Sequence, residues 1–293
     1  MNRTKLFSTI DFHVTCECSQ ECPYCWGPQD IENPVNTFTS CKIIKKIKNV
    51  GAKRIVFTGG DPLTRKDIGK LIRYAKNTGL EVALSTTGDE LTKTFLRWNA
   101  DYIDLISLPI DGSTEEINSK TKEAGHLTKV LKAMEMLKEY PTIDIKLCTP
   151  VTKHNIKDVS NTLKMAEDYK KSTGARVFYN IFQTFPRSLG KVDWGDIVVS
   201  NSSFGALKRK LAGRKKIKLN FLDHKTLDKL YLMIFPNGNL VIPEGGNFTS
   251  FESFLAIENI SEVIKQSKFE AAKHLKHSKG WEKRNKKLYF YPS

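Results

Sequence analysis

Three cysteines lie on one short segment near the start of the chain, with the spacing C-x3-C-x2-C. They are Cys18, Cys22 and Cys25, and Pro23 stiffens the turn between the second and the third. Three thiolates are one ligand short of a closed four-coordinate structural site. They are enough to hold three irons of a [4Fe–4S] cube and leave the fourth iron open. An open metal position indicates chemistry, because closed sites are the structural ones.

Two simpler uses of these cysteines were weighed against a cluster. Zinc sites normally show two separated cysteine pairs, whereas this chain has one group, and His13 is the only histidine near it. A disulfide framework fits poorly, because six cysteines in 293 residues are sparse and four of them crowd into residues 16–25. The remaining Cys16, Cys41 and Cys148 are expected to pack as small hydrophobic residues.

A second motif follows the cysteines. Residues 54–58 have the pattern of a buried strand and run directly into the loop Gly59-Gly60-Asp61-Pro62. With the aromatic Tyr24 before the last cysteine, this order resembles the radical S-adenosylmethionine (SAM) superfamily, over roughly residues 8 to 185. In that superfamily the amino and carboxylate groups of SAM chelate the open iron. The resemblance therefore implies a [4Fe–4S] cluster and SAM as cofactors.

The resemblance also assigns contacts to SAM. They are Gly59, Gly60 and Asp61 for the amino group, Tyr24 for adenine, and Ser85 and Thr87 for the ribose or carboxylate. Glycines allow the backbone to come close, and the Asp61 carboxylate could take a charge-assisted hydrogen bond from the ammonium. For Ser85 and Thr87 the alternative is a local role, capping the end of a strand or the next helix.

Strand-like and helical patterns alternate along the first part of the chain. Strands are predicted at residues 8–15, 54–58, 80–86, 102–108, 143–149 and 175–182. Apolar stripes with helical spacing lie between them, such as Ile43, Ile44 and Ile47. This alternation predicts an α/β protein with a parallel sheet. Six repeats fit the open partial (β/α)6 barrel that the resemblance implies, in which functional groups collect at the C-terminal ends of the strands.

The pattern changes after residue 186. We predict a radical SAM core at residues 1–186 and a C-terminal α/β extension at residues 187–293. Asn237-Gly238 between two apolar runs predicts a hairpin. A helix is predicted near residues 203–212, and one more over residues 258–276, with Ile260, Val263, Ile264 and Phe269 facing inward.

The extension carries one informative departure from relatives that hold a second cluster. No cysteine follows Cys148, so an auxiliary cluster with cysteine ligands is excluded by ligand count. The layout that remains most resembles viperin-like and molybdenum-cofactor-cyclase-like members. Viperin-like enzymes act on a nucleoside triphosphate, and this chain keeps Lys146 on the matching strand. Asp30 and Asn180 stand at or near positions of further lysines, which removes cations that would bind a triphosphate.

Substrate contacts are expected on the late strands. We assign them to Lys146, Asn180 and Gln183, whose side chains could face the barrel interior. For Lys146 the alternative is a lysine that extends to solvent. Trp26 could cover the cluster or simply pack.

The formal net charge of +15 does not by itself identify the partner, because it fits both an anionic substrate and a nucleic acid. Much of the lysine lies on the solvent faces of amphipathic helices, but residues 208–218 and 283–287 are dense basic runs that could attract phosphates. They lack the interleaved aromatic residues of single-strand nucleic-acid platforms. No apolar run reaches the roughly 20 residues needed to span a bilayer, and no targeting segment is visible. We expect a cytoplasmic protein, since an exposed cluster needs a reducing compartment.

These observations predict a radical SAM enzyme. Reductive cleavage of SAM at the cluster gives a 5′-deoxyadenosyl radical, which abstracts hydrogen from a small, anionic or nucleotide-like substrate. A reductant such as flavodoxin or ferredoxin is the expected partner. Modification of a ribosomally made peptide or a tRNA is the first alternative. A non-catalytic iron–sulfur or zinc protein is the second, and the Gly-Gly-Asp-Pro loop argues against it.

Overall fold

The protein is built on one long β-sheet. The computed structural model describes residues 6–28, 31, 33–186, 193–267 and 269–279, and in these the sheet has ten strands. Its first six strands in the chain are β1 (Thr9–His13), β2 (Arg54–Thr58), β3 (Glu81–Ser85), β4 (Leu105–Pro109), β5 (Asp144–Val151) and β6 (Val177–Gln183). All six pair in parallel and in sequence order. Each one overlaps a predicted strand.

Helices connect these parallel strands. They are α1 (Thr37–Asn49), α2 (Ile68–Asn77), α3 (Lys93–Asn99), α4 (Glu115–Asn118), α5 (His126–Leu137) and α6 (Val159–Thr173). Asn36 caps the start of α1, because its side chain accepts a hydrogen bond from the Thr39 amide. The predicted stripe of Ile43, Ile44 and Ile47 is fully buried. Apolar spacing thus fixes which face of each helix covers the sheet.

The C-terminal part extends the same sheet at both edges. Its elements are α7 (Trp194–Ile197), α8 (Asn201–Leu211), β7 (Lys218–Leu222), α9 (His224–Leu227), β8 (Met233–Ile234), β9 (Asn239–Glu244), β10 (Asn247–Ser253), α10 (Ile260–Gln266) and α11 (Ala271–Lys279). The strand β7 adds in parallel to β6, and β8 adds in parallel to β1. The strands β9 and β10 follow in antiparallel pairing, so the order is β10-β9-β8-β1-β2-β3-β4-β5-β6-β7.

The predicted fold class is confirmed: a mixed α/β architecture with a mostly parallel sheet that does not close on itself. The hairpin at Asn237-Gly238 is present as β8 and β9. The predicted single helix over residues 258–276 is instead two helices. The first one ends at Gln266, and the Ser267 hydroxyl donates to the Ile264 carbonyl at 2.8 Å, which satisfies a terminal acceptor. The strands β7 and β10 were not predicted.

The two faces of the parallel strands have different chemistry. On β1, Ile10 and Phe12 are fully buried among the helices, whereas Asp11 and His13 point to the opposite, concave face. Successive side chains on a strand alternate between faces, so every barrel strand contributes residues to that concave interior. Among the described residues, no helix has the length and apolar character needed to cross a membrane.

Candidate active site

The three cysteines lie on the loop that follows β1. Cys18 is exposed, and Cys22 and Cys25 are half-buried. Each sulfur accepts one hydrogen bond: Cys18 from the Gln20 amide at 3.4 Å, Cys22 from the Lys122 ammonium at 3.0 Å, and Cys25 from the Gly27 amide at 3.4 Å. Hydrogen bonds to sulfur are one of the features that set the potential of a cysteine-held cluster. Three free thiols, each with a donor, therefore fit the ligand set of a [4Fe–4S] cluster with one open iron.

The thiols of Cys18 and Cys22 are not ionised by their surroundings alone. Burial raises the pKa of the Cys18 thiol to about 11, and burial also raises the pKa of Cys22 despite the nearby Lys122. A thiolate is the form that ligates a metal, so binding of iron would have to supply the driving force for deprotonation.

The loop after β2 is locked against the cysteine loop. The Gly60 amide donates to the Thr15 carbonyl at 2.8 Å, and the Asp61 amide donates to the Glu17 carbonyl at 2.6 Å. A Cβ at Gly60 would lie 2.1 Å from the Glu17 oxygen, closer than any side chain permits. We predicted that these glycines let the backbone approach SAM. The close approach that the structure shows is instead between the two loops, and the contact with SAM stays a prediction.

The Asp61 carboxylate is completely buried and points to the end of β3. It accepts hydrogen bonds from the Leu63 amide at 3.0 Å and the Thr86 hydroxyl at 2.7 Å, and from both the amide and the hydroxyl of Thr87. This arrangement differs from the expected hydrogen bond to the SAM ammonium. Thr86 was missed by the sequence analysis, and Thr87 faces Asp61 rather than the cavity. Ser85, two residues earlier, does line the cavity.

A buried polar cluster lies beside Cys22. The Tyr24 hydroxyl donates to Asp111, which also accepts from the Thr121 hydroxyl at 2.6 Å. The Lys122 ammonium lies 5.6 Å from the centre of the Tyr24 ring, in addition to its contact with Cys22. Burial lowers the pKa of Lys122, but the negative charge of Asp111 and the hydrogen bond to Cys22 outweigh that effect and hold it above its ordinary value. Lys122 is therefore a fixed cation next to the cysteine loop.

In this cluster, one carboxylate oxygen of Asp111 lacks a hydrogen-bond partner within the described part of the chain. Its side chain is completely buried at the end of β4, and its Oδ1 atom has no partner among the described residues. The position of Asp111 just after β4 is itself a signal, since functional groups collect at C-terminal strand ends. For Lys122 there was none, because it lies 100 residues from Cys22 in the chain.

A cavity of about 310 Å³ fills the concave interior next to these loops. Each of the six barrel strands contributes to its wall; the polar contributors include Asp11, His13, Thr58, Ser85, Ser107, Lys146 and Asn180. Lys146 lies opposite Ser107 in the register of β4 and β5 and faces this interior, so the solvent-facing alternative does not apply. Asn180 also lines the wall, and its side-chain oxygen accepts from Asn220 at 2.8 Å.

Gln183 does not reach the cavity. Its amide donates to the Asn201 side chain at 2.8 Å and ties the end of β6 to the first residue of α8. The Gln183 side chain is therefore not at the cavity wall, where we expected it to contact the substrate. It bonds a nearby polar partner that a strand pattern cannot reveal. Asp30 and the basic run at 283–287 lie outside the described residues.

The cavity contains little net charge. Burial lowers the pKa of His13 to about 3 and, with help from Lys146, that of His277 to about 4, so both rings are neutral near pH 7. Arg54 is paired with Glu81, with 3.0 Å between Nε and the carboxylate. Burial raises the pKa of Asp11 to about 7, although Lys146 and Arg54 oppose the rise.

These features define a class of enzyme: a partial α/β barrel with three free cysteines on the loop after its first strand and a cavity behind them. Residues 12–166 match the model of the radical SAM superfamily, which is more than half of the chain. The protein belongs to the radical SAM superfamily, whose members use a [4Fe–4S] cluster and SAM.

Similar proteins differ in their substrates. An S-adenosylmethionine-dependent nucleotide dehydratase from Flammeovirga pacifica is 24% identical over 279 residues, which is 90% of either chain. The mycofactocin maturase MftC of Mycobacterium ulcerans is 24% identical over 213 residues, 67% of this chain and 58% of that protein. Streptococcus suis SuiB bound to SAM superposes with a TM-score of 0.68 at 13% identity, over 88% of this chain and 66% of SuiB. A likeness at that identity shows the shared fold.

Proposed function

We propose that this radical SAM enzyme acts on a small, nucleotide-like substrate that enters the cavity inside the barrel. The observation that carries the proposal is the cavity itself, since about 310 Å³ is the size of a small-molecule site. Val56, Ala83 and Leu105 lie side by side in the register of β2, β3 and β4 and form an apolar part of its wall, and the polar Ser85 and Ser107 pair beside them. This combination of an apolar wall with a few polar anchors is typical of small-ligand pockets.

We assign one set of residues to the cofactors and another to the substrate. Cys18, Cys22 and Cys25 would hold the cluster, which together with SAM would supply the radical chemistry needed to remove hydrogen from the substrate. Lys146 and Asn180 orient the substrate from the wall of the cavity. Orientation is the main task of the protein in such reactions, because the cofactor carries the difficult chemistry.

The nucleotide-like class rests on two arguments. The nucleotide dehydratase from Flammeovirga pacifica resembles this chain over almost its whole length. Lys146 supplies one cation to the cavity, as expected for a substrate with a phosphate or another anion. A complete triphosphate clamp would need several free cations, and Arg54 is already paired with Glu81.

Modification of a ribosomally made peptide is the second candidate. It is favoured by the similarity to the maturase MftC over 67% of this chain. The two candidates differ in what must reach the barrel interior, because a peptide needs an open groove whereas a nucleotide needs an enclosed pocket.

The test is a substrate screen with anaerobically reconstituted enzyme, SAM and dithionite, in which 5′-deoxyadenosine is quantified by chromatography. We expect nucleosides or nucleotides to stimulate its formation above the level without substrate, and Lys146→Met to weaken the stimulation. Lys132→Met, on the exposed face of α5, is the matched control and should behave as wild type. Stimulation by peptides or tRNA alone would overturn the small-molecule proposal.

A further inference from the structure

The inner face of β1 places a carboxyl group in the cavity that neither the cysteine motif nor the Gly-Gly-Asp-Pro loop accounts for. Asp11 lines the cavity together with Lys146 and Ser85, and its backbone is held by parallel pairing to both β2 and β8. Among the described parts of the chain, no hydrogen bond reaches its carboxylate oxygens. A rigid strand thus presents an acceptor to the space where the substrate is expected.

The charged and titratable groups around Asp11 come from several elements. Lys146 on β5 and Arg54 on β2 act on it electrostatically, and Arg54 shares its charge with Glu81 on β3. His13 on β1 and His277 on α11 are neutral, for the reasons given above. The surroundings therefore neither neutralise Asp11 completely nor supply its missing hydrogen-bond donor.

We propose that Asp11 is a substrate-binding residue that accepts a hydrogen bond from a hydroxyl, amine or amide N–H of the substrate. The carboxylate and Lys146 together then select a neutral or singly charged polar group, such as the sugar or base of a nucleotide, for the barrel interior. A polyphosphate is disfavoured there, because Asp11 would repel it. This inference rests on the proposed function, whose substrate class it makes more specific.

Ionisation of Asp11 gives the proposal a second signature. Burial raises its pKa to about 7, so the carboxylate is only partly formed at neutral pH. An anionic acceptor binds a neutral donor more strongly than a protonated carboxyl does. Affinity for the substrate should therefore rise between pH 6 and pH 8, and this rise should vanish when Asp11 can no longer ionise.

The experiment compares wild type with Asp11→Asn, using reconstituted enzyme loaded with SAM and calorimetric titration of each ligand. The probes are the nucleoside, monophosphate and triphosphate of cytosine, uracil, adenine and guanine. We expect the nucleoside or monophosphate to bind wild type at least as tightly as the triphosphate does. Asp11→Asn should weaken the best ligand about tenfold, flatten its pH dependence and improve the relative affinity of the triphosphate. Asp101→Asn, on an exposed turn, is the matched control.

The outcomes separate the two proposals. If no nucleotide binds but a peptide or sugar phosphate stimulates deoxyadenosine formation, the nucleotide proposal fails, and Asp11→Asn is then measured with that ligand. An unchanged affinity and an unchanged pH profile in Asp11→Asn, with normal iron content and folding, would overturn the role of Asp11 for any ligand. Binding of triphosphates alone by wild type would overturn the selection for low charge. If nothing binds, both proposals fail.

Discussion

The ammonium group of Lys122 lies 3.0 Å from the sulfur of Cys22, although 100 residues of chain separate them. The negative charge of Asp111 and the hydrogen bond to Cys22 keep Lys122 in its charged form despite burial. A cation in contact with a ligand sulfur stabilises the more negative, reduced state of a cluster. Lys122 is therefore expected to tune how easily the cluster accepts the electron that starts the reaction.

Replacement of Lys122 by Gln should make the midpoint potential of the cluster more negative. A charge-assisted hydrogen bond contributes about 1.5–3 kcal/mol, which for one electron corresponds to roughly 60–130 mV. The measurement is a redox titration followed by electron paramagnetic resonance. Lys120→Gln, exposed in the same turn, serves as the control. Equal potentials in wild type and Lys122→Gln would show that the contact has no electronic role.

Cys22→Ala should lose the cluster, whereas Cys148→Ala should retain it. Cys22 is one of the three proposed ligands, but Cys148 lies in the cavity wall, where its sulfur is 3.3 Å from the Ser107 hydroxyl. Removal of the Cys148 thiol should cost about 1 kcal/mol of stability. Iron and sulfide analysis of both variants checks this. Loss of iron in a folded Cys148→Ala protein would mean that the ligands are misassigned.

Gly60→Ala should disrupt the cysteine loop. Its new Cβ would lie 2.1 Å from a backbone oxygen of Glu17, and backbone cannot move aside as a flexible side chain can. We expect a loss of about 2–4 kcal/mol and a large fall in iron content. Gly213→Ala is the matched control, because nothing lies within 4 Å of its Cβ position. Wild-type iron content in Gly60→Ala would contradict the packing of the two loops.

Asp61→Ala should harm folding more than a simple loss of one SAM contact would. The mutation leaves the Thr86 and Thr87 hydroxyls and the Leu63 amide without their buried acceptor. The expected cost is about 3 kcal/mol, measured by thermal or denaturant unfolding. A stable Asp61→Ala protein with weakened SAM binding would instead restore the direct role that the sequence suggested.

Asp11→Asn should stabilise the protein increasingly as the pH rises. The folded pKa of Asp11 is about 7 against an ordinary value of 3.8, so its ionisation penalises the folded state as pH rises from about 4 to about 7. Asn carries no such penalty, and we expect a gain of about 4 kcal/mol at pH 8 relative to pH 4. Melting temperatures of both proteins across this range test the sign. A constant difference between them would show that Asp11 ionises normally.

Much of this architecture follows directly from sequence pattern. The strands β1 to β6 were predicted because each is an apolar run between helical stripes, and their order in the sheet follows from parallel βα repeats. The strand β7 was missed because Lys218-Leu-Asn-Phe-Leu lies at the end of a basic run that hides its weak alternation. The break between α10 and α11 was missed because Ile260, Ile264 and Phe269 are all buried, so the apolar pattern shows no interruption.

Some residues of the candidate site could likewise be found from the sequence, and others could not. The cysteines and the Gly-Gly-Asp-Pro loop could be found because their chemistry lies within a few consecutive residues. Lys122, Thr86 and Asp11 could not, since their roles depend on which side chains the fold brings together from distant segments. Gln183 illustrates the reverse case, because its position on a barrel strand suggested substrate but its amide is bonded to Asn201.

The central claim is that one cluster, held by three cysteines, cleaves SAM in this protein. The most direct measurement is to reconstitute the protein anaerobically, add dithionite and SAM, and quantify iron, sulfide and 5′-deoxyadenosine together. We expect about four irons and four sulfides per chain, and formation of 5′-deoxyadenosine that disappears in Cys22→Ala. Stoichiometric zinc in place of iron, or a full cluster that forms no 5′-deoxyadenosine from SAM, would contradict the account.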